Sequence, residues 1–233
     1  MNIKLYVAKH LNYLPDIIYH GLVDLGHYVV EYPTKETYHG HMTHEEGRKP
    51  IHFNYPIREE IGQYDLILID VHCGEDKFEE SEYCVIDGHD YQIINENLYA
   101  GCKLYFKREL THGMQQEWSK CRPLPFASIN YLNPLDDNRS IDFSYVLSGT
   151  IEIRSLFCNH LRTIQGEFPS SVIHCPNREL YPVNHDEYCR ILSQSKISVS
   201  IRGFGEDTYR YWEIPAYGAV LAAKKPEIII PDD

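Results

Sequence analysis

Short apolar runs alternate with helically spaced apolar residues along the first part of the chain. Residues 3–8, IKLYVA, form a run of strand-forming residues. In the following LPDIIYHGLVDLG, apolar side chains recur at helical spacing from Ile17 to Leu25, and the pattern ends at Gly26. HYVVEYP then predicts a second strand. A strand, a helix and a strand within about 30 residues indicate a parallel α/β sheet with a right-handed crossover.

The same alternation continues through the chain. YDLILIDVH is a continuous apolar run, typical of a strand that is buried on both faces, and YCVIDGHD and CKLYFKREL predict two further strands with polar carboxyl ends. In the second half, strands are predicted in DFSYVLSGT, SSVIHCPN, KISVSIRG and AVLAAKKP. Helices are predicted in EIRSLFCNHLRTI, HDEYCRILSQS and GEDTYRYWEIPAYG, and Gly218 is expected to end the last of them in a left-handed conformation.

Two segments interrupt the alternation. The stretch from Arg122 to Asp137, RPLPFASINYLNPLDD, is rich in proline, asparagine and aspartate and is predicted to be a linker. Residues 40–60 are polar and rich in histidine, and we predict an exposed loop or a short insertion there. The fold class predicted is therefore α/β with parallel sheets, with an N-terminal domain at 1–135 and a C-terminal domain at 136–233.

Composition narrows the function classes. The 233 residues include 22 Lys and Arg against 34 Asp and Glu, and the formal net charge of -12 repels phosphate backbones and anionic membranes. We find no basic patch that would offset it. Seven cysteines without a C-x-x-C pair favour a reducing compartment, and the N-terminus does not resemble a signal peptide. Because no apolar run reaches about 18 residues, we predict a cytoplasmic protein without a membrane span.

The turn after the first strand of the second half is a candidate anion site. In open parallel sheets, ligands bind beyond the carboxyl ends of the strands. Ser148, Gly149 and Thr150 are small residues that let backbone N–H groups and hydroxyls approach an anion, and Arg154 in the next helix adds positive charge. A plain strand-to-helix turn with a serine or threonine cap gives the same pattern, so both interpretations stay open.

The stretch SVSIRGFGEDTYRYWE contains a second group of candidates. Arg202 ends a predicted strand, a glycine-containing loop follows, and Asp207 or Thr208 can cap the next helix. Arg210 and Glu213 lie i,i+3 on one face of that helix.

These side chains suit a nucleotide. A carboxylate at Glu213 can accept hydrogen bonds from two ribose hydroxyls, and Arg202 and Arg210 can neutralise a diphosphate. Glu206 lies just before the first turn on the same side. The alternative is an ordinary intrahelical pair between Arg210 and Glu213 on a solvated face.

This region resembles a known family. The stretch SQSKISVSIRGFGEDTYRYWEIPAYGAVLAAKKPEIIIPDD is similar to the donor-binding half of GT-B glycosyltransferases, most closely the spore-maturation glycosyltransferase-like and exostosin-like groups. In those proteins a strand, a glycine-containing loop, an R-x-x-E helix, a small-residue turn and another strand follow in this order. A second stretch, YVLSGTIEIRSLFCNHL, resembles the family's first strand, glycine loop and arginine-bearing helix. The first half of the chain resembles the family only in its general alternation of strands and helices.

The resemblance implies a GT-B-like fold of two Rossmann-like domains facing across a crevice. It also implies a short or truncated C-terminal domain, because members of the family usually continue past the position of Asp233. Glu213 is then expected to bind the donor's ribose. The donor's phosphates are expected to be bound by a further set of residues, which are Ser148, Gly149, Thr150, Arg154, Arg202, Thr208 and Arg210.

Glu206 is a sugar-facing candidate in this comparison. Retaining members of the architecture commonly carry two glutamates eight positions apart, whereas Glu206 and Glu213 are seven apart. Arg210 is expected to stabilise the charge that develops on the leaving diphosphate.

Candidates for a general base follow the strands of the first half. His10, in AKHLNYLP, resembles the position of the histidine base in plant-type and antibiotic-type GT-B enzymes. Other polar residues in comparable positions are Asp70 and His72 after one strand and Asp87, His89 and Asp90 after the next. For each histidine, a hydrogen-bonded structural role is the alternative.

Lys107, Arg108 and Glu109 end the stretch YFKRE. A basic residue there could meet an acceptor or a phosphate, and a solvated turn explains the same pattern.

A cluster of His39, His41 and His44 with Glu45 and Glu46 has the residue types of a metal site. It is not an H-E-x-x-H motif and it offers no histidine pair at helical i,i+4 spacing. A polar loop is the better interpretation, and we predict no bound metal.

Together these patterns predict a metal-independent glycosyltransferase that uses a nucleotide-sugar co-substrate and no other cofactor. The acceptor is unidentified, and a glycan, a protein or a small molecule is favoured over nucleic acid by the acidic balance. The alternative is a non-catalytic module with the same fold that binds or senses a nucleotide or nucleotide sugar. A third possibility is a metal-dependent hydrolase built on residues 39–46.

Overall fold

The computed structural model describes residues 1–8, 12–33, 58–73, 81–128, 138–147, 151–175 and 183–231. The chain divides into two compact units, one formed by Met1–Pro125 with Glu227–Asp233 and the other by Phe126–Pro226. In the described residues each unit is built on one parallel sheet with helices, which confirms the predicted α/β class and is compatible with Rossmann-like units. The last residues of the chain therefore belong to the first unit.

The first unit contains a six-stranded parallel sheet with the order β2-β1-β3-β4-β5-β6. Its strands are β1 (Asn2–Tyr6), β2 (Tyr28–Tyr32), β3 (Leu66–Asp70), β4 (Cys84–Asp87), β5 (Leu104–Lys107) and β6 (Cys121–Pro123). Its helices are α1 (Tyr13–Asp24), α2 (Glu96–Gly101) and α3 (His112–Glu117), and a 3-10 helix spans Val71–Cys73. The chain changes direction across the sheet between β1 and β3, which is the topological switch point where such sheets bind ligands.

The second unit contains a four-stranded parallel sheet with the order β10-β9-β7-β8. Its strands are β7 (Ile141–Val146), β8 (Val172–His174), β9 (Ser195–Ser200) and β10 (Val220–Ala223). Its helices are α4 (Glu152–Ile164), α5 (His185–Gln194) and α6 (Tyr209–Ala216), and a 3-10 helix spans Gln165–Glu167. Here the switch point lies between β7 and β9, because β8 is on one side of β7 and β9 and β10 are on the other.

The longer predicted elements are confirmed. Helix α1 ends before Gly26, whose φ of 81° is in the left-handed region, and Gly218 after α6 has a φ of 73°. Glycine adopts this conformation without the steric penalty of a Cβ, which explains why both helices end there. Buried apolar side chains cover both faces of the central strands, as the continuous apolar runs predict.

The shortest elements were not predicted. Helices α2 and α3 have six residues each, too few to show a helical repeat, and strand β6 has three. Strand β6 also shows that the predicted linker begins too early, because Arg122 and Pro123 belong to the sheet. Pro123 is tolerated because β6 is the edge strand in the described sheet. Residues 129–137 of the predicted linker lie outside the described residues, as do residues 40–57 of the polar segment.

No helix in the described ranges is long and apolar enough to cross a membrane.

Candidate functional site

Two arginines meet at the switch point of the second unit. Arg154 extends from α4, which follows β7, and reaches the end of β9. Its Nε donates to the carbonyl of Arg202 at 3.0 Å, and its terminal nitrogen donates to the carbonyl of Ile201 at 3.2 Å. Arg210 extends from α6, which follows β9, and its Nε donates to the carbonyl of Val146, the last residue of β7, at 2.8 Å. The two side chains therefore cross between neighbouring strand ends.

This placement concentrates positive charge. Arg154 is only 6% exposed, and burial together with the charge of Arg210 lowers its pKa to about 10. Gly203 allows the guanidinium to lie against the loop after β9, because a Cβ at that position would be 3.2 Å from a nitrogen of Arg154. The positive charge of Arg210 thus disfavours the charged form of Arg154.

Glu213 lies on the same helix as Arg210 and is 6% exposed. Its Oε2 accepts a hydrogen bond of 2.6 Å from the hydroxyl of Tyr188 in α5, and burial and the charge of Glu213 raise the pKa of that tyrosine. The guanidinium of Arg210 lies over the same tyrosine ring, 5.7 Å from its centroid. This face of α6 is thus buried against α5. The alternative interpretation, an ordinary pair between Arg210 and Glu213 within α6, required the face to be solvated. Sequence analysis missed Tyr188, because nothing local marks a contact between two helices.

Arg202 and Glu206 pair with each other. Their side chains are 3.3 Å apart at i,i+4, and Arg202 is 51% exposed. The pair lies on the glycine loop between β9 and α6, so Arg202 contributes its carbonyl to Arg154 and its charge to Glu206.

The start of α6 differs from the prediction. Thr208 is the N-cap residue, but its side chain does not make the predicted cap. The Thr208 hydroxyl is 3.0 Å from the hydroxyl of Ser200. Asp207 is 3% exposed and accepts from the backbone N–H of Phe126 at 2.6 Å and from the indole of Trp212 at 2.7 Å. The Thr208 hydroxyl therefore contacts β9 in place of the cap, and Asp207 connects the backbone of Phe126 to Trp212 of α6.

Several predicted site residues lie outside the described residues. These are His10, Ser148, Gly149 and Thr150, and the cluster of His39, His41, His44, Glu45 and Glu46.

Polar side chains also meet at the switch point of the first unit. Asp70 ends β3 and is 1% exposed. Its Oδ1 is 3.0 Å from Nδ1 of His72, and this hydrogen bond raises the pKa of the imidazole. Asn12 precedes α1, and its amide nitrogen lies 3.3 Å from Oδ2 of Asp70 and 3.1 Å from Nδ1 of His72. Sequence analysis missed Asn12, since an asparagine before a helix is usually explained as a cap.

Asp87 is the centre of a second group, at the end of β4. Its Oδ1 is 3.1 Å from Nδ1 of His89 and 3.0 Å from Nζ of Lys107, and its Oδ2 accepts from Tyr105 at 2.6 Å. Burial opposes ionisation of this carboxyl, but the hydrogen bond from His89 and the charge of Lys107 outweigh it and lower its pKa. Burial lowers the pKa of Lys107, and the charge of Asp87 counteracts this.

The two histidines of these groups touch. The ring centroids of His72 and His89 are 4.2 Å apart, with the ring planes tilted by 47°. Their side chains are 26% and 43% exposed, whereas Asp70 and Asp87 behind them are buried. The sequence placed both Asp-x-His segments after strands but gave no sign that β3 and β4 are neighbours.

The solvated turn considered for Lys107, Arg108 and Glu109 is wrong. All three residues are buried, with 0%, 3% and 1% of their surface exposed. Arg108 forms ion pairs with Asp90 and, at 3.4 Å, with Glu109. The charged side chains at the end of β5 are therefore buried and form ion pairs within the first unit.

In the described part of the chain, no group of three or more His, Cys, Asp or Glu side chains is arranged to hold a metal ion. Comparisons with protein-family models, curated proteins and solved structures found no match to this chain.

Proposed function

We propose that this chain is a GT-B-like glycosyltransferase whose second unit binds a nucleotide-sugar donor. The convergence of Arg154 and Arg210 at the switch point between β7 and β9 carries the proposal. Parallel sheets bind nucleotides at this place, and two guanidinium groups there match a diphosphate.

Each side chain has a distinct role in this proposal. Arg154 and Arg210 bind the diphosphate and stabilise the negative charge that it gains when the bond to the sugar breaks. Glu213 orients the ribose, since a carboxylate accepts up to about four hydrogen bonds and the one from Tyr188 is compatible with others. With arginines on the diphosphate, this step requires no metal ion.

The first unit supplies the acceptor contacts in this proposal. Its acidic and histidine side chains suit a neutral, hydroxyl-bearing acceptor such as a glycan better than nucleic acid, in agreement with the net charge of -12.

Binding of nucleoside diphosphates tests the donor site. We expect a nucleoside diphosphate or its sugar conjugate to raise the unfolding temperature, because a ligand at 100 times its Kd stabilises the folded state by about 2.7 kcal/mol. Arg210→Met should weaken binding about 10- to 150-fold, the equivalent of a charged hydrogen bond of about 1.5–3 kcal/mol. Arg190→Met is the matched control, because Arg190 is an exposed arginine of α5 that pairs with Glu187.

A second comparison separates the ribose role from the phosphate role. Glu213→Gln should weaken the nucleoside diphosphate about tenfold and leave inorganic pyrophosphate unchanged, whereas Arg210→Met should weaken both. A full panel of nucleotides and nucleotide sugars that gives no shift in unfolding temperature would overturn the donor site.

Turnover distinguishes transfer from binding. A glycosyltransferase should release nucleoside diphosphate from the bound nucleotide sugar, slowly to water and faster with its acceptor. Tight binding of the donor without any release, with glycan, protein and small-molecule acceptors present, would instead favour the non-catalytic binding or sensing module.

A further inference from the structure

Tyr188 contacts both side chains of α6 that the proposed donor site uses. Its hydroxyl donates to Oε2 of Glu213 at 2.6 Å. The guanidinium of Arg210 lies over its ring, 5.7 Å from the centroid. Because Arg210 and Glu213 are i,i+3 on one helix face, a single tyrosine of the neighbouring helix α5 meets them both.

The hydroxyl of Tyr188 is suited to hold the carboxylate of Glu213. A distance of 2.6 Å between a hydroxyl and a carboxylate oxygen is typical of a charge-assisted hydrogen bond. Burial and the charge of Glu213 raise the pKa of Tyr188, so the phenol keeps its proton at neutral pH and remains the donor. The bond fixes the position of one carboxylate oxygen, which reduces the rotamer freedom that a long side chain would otherwise lose when a ligand binds.

The ring of Tyr188 is suited to hold Arg210. A guanidinium within about 6 Å of an aromatic centroid is attracted by the negative face of the ring. Nε of the same guanidinium donates to the carbonyl of Val146 at 2.8 Å, which uses only one of its N–H donors. The end of β7 and the ring together restrict the orientation of Arg210.

Tyr188 is itself held by the core of the second unit. It packs against two groups of buried side chains, one from α5, α6 and the segment before β10 and the other from β7 and α5. Its backbone N–H donates to the carbonyl of Asn184, the N-cap residue of α5, at 2.9 Å. A side chain that is packed in this way orients its partners before a ligand arrives.

We propose that Tyr188 is a positioning residue of the donor site and makes this site selective for ribonucleoside diphosphates over their 2′-deoxy counterparts. Its hydroxyl orients Glu213 for the ribose hydroxyls, and its ring orients Arg210 for the phosphates. A site that is oriented to accept a hydrogen bond from a ligand hydroxyl discriminates against a ligand without it. This inference rests on the proposed function of the second unit.

Tyr188→Phe tests the hydroxyl, because it keeps the packed ring. Isothermal titration uses the tightest-binding of ADP, GDP, CDP and UDP, the 2′-deoxy form of that nucleotide, and inorganic pyrophosphate. The parent should prefer the ribose form about tenfold, and Tyr188→Phe should reduce this preference to about twofold. Its affinity for pyrophosphate should change by less than about twofold, because the ring still orients Arg210.

Tyr188→Leu removes both the hydroxyl and the ring. It should also weaken pyrophosphate binding, about three- to tenfold, because Arg210 loses the ring that orients it. Where this variant does not fold, Tyr188→Met fills more of the volume of the ring and takes its place.

Tyr217→Phe is the matched control. The Tyr217 hydroxyl donates to Sγ of Cys189 at 2.9 Å, and both residues belong to one of the buried groups that Tyr188 packs against. Removal of this hydroxyl should leave the affinities for all three ligands within about twofold of the parent.

The outcomes distinguish this inference from the proposed function. If the parent binds none of the nucleotides, the donor site and the role of Tyr188 are both wrong. If Arg210→Met weakens binding but Tyr188→Phe keeps the parent's preference for ribose, only the role of Tyr188 is overturned. It is also overturned if the parent has no such preference, or if Tyr188→Phe weakens all three ligands equally, as a merely structural effect would. Unchanged pyrophosphate binding in a folded Tyr188→Leu or Tyr188→Met would overturn the role of the ring.

Discussion

At the scale of single residues, both units bury charged side chains beside the carboxyl ends of their strands. Asp87 and Lys107 are 1% and 0% exposed at the side chain, and their charged atoms are 3.0 Å apart. A buried pair of this kind contributes little relative to apolar residues, but removal of one partner leaves a charge without compensation.

Lys107→Met should therefore lower the free energy of unfolding by about 3–5 kcal/mol, because Asp87 would stay buried without its cation. The double variant Lys107→Met/Asp87→Asn should recover part of this loss. Urea unfolding measures both values.

Lys103→Met is the control for this experiment. Lys103 pairs with Glu82 at 2.7 Å, but both side chains are more than half exposed. Its replacement should change the free energy of unfolding by less than about 1 kcal/mol. An equal effect of the two lysine variants would contradict the importance of burial.

At the scale of secondary structure, the long elements with a clear apolar repeat are predicted from the sequence, whereas the shortest elements are not. Helix α4 occupies the predicted range, because its 13 residues are long enough to show a helical repeat. Helices α2 and α3 are capped by the side chains of Asn95 and Thr111, but their short length hides them among turn residues. Strand β6 is stabilised by pairing with β5, a partner that is distant in sequence.

Gly26 gives a prediction for the end of α1. Gly26→Ala should lower the free energy of unfolding by about 1–2 kcal/mol, because its φ of 81° is unfavourable for a residue with a Cβ. There is open space around this position, so the loss reports conformation alone. Gly62→Ala is the matched control in the same unit, where a Cβ also meets nothing within 4 Å, and thermal unfolding should show little change. A neutral Gly26→Ala would show that the helix end tolerates another conformation.

At the scale of the whole molecule, the chain returns to its first unit after completing the second. Ile228 is 6% exposed, Ile229 packs against the core of the first unit, and its backbone N–H donates to the carbonyl of Leu110 at 2.7 Å. The boundary between the two units therefore lies at two points in the sequence.

Deletion of residues 227–233 should consequently destabilise the first unit and leave the second nearly unchanged. Hydrogen exchange should show faster exchange in β3, β4 and β5 but not in β7 and β9. Ile228→Ala should reproduce part of the effect, with a loss of about 2–5 kcal/mol, while Pro231→Ala at an exposed position should not. Equal loss of protection in both sheets would contradict the assignment of this segment.

The sequence by itself determined the α/β class, the order of the longer strands and helices, and the positions of most polar residues that follow strands. These depend on local periodicity and on glycines at helix ends, which each segment carries within itself. Only the tertiary structure decided which strand ends are neighbours. It brings Arg154 and Arg210 together across β7 and β9, because strand order is set by contacts between residues that are distant in sequence. The same physical reason joins Asp70, His72, Asp87 and His89 into one group and places the hydroxyl of Thr208 beside Ser200 of β9 in place of the predicted cap.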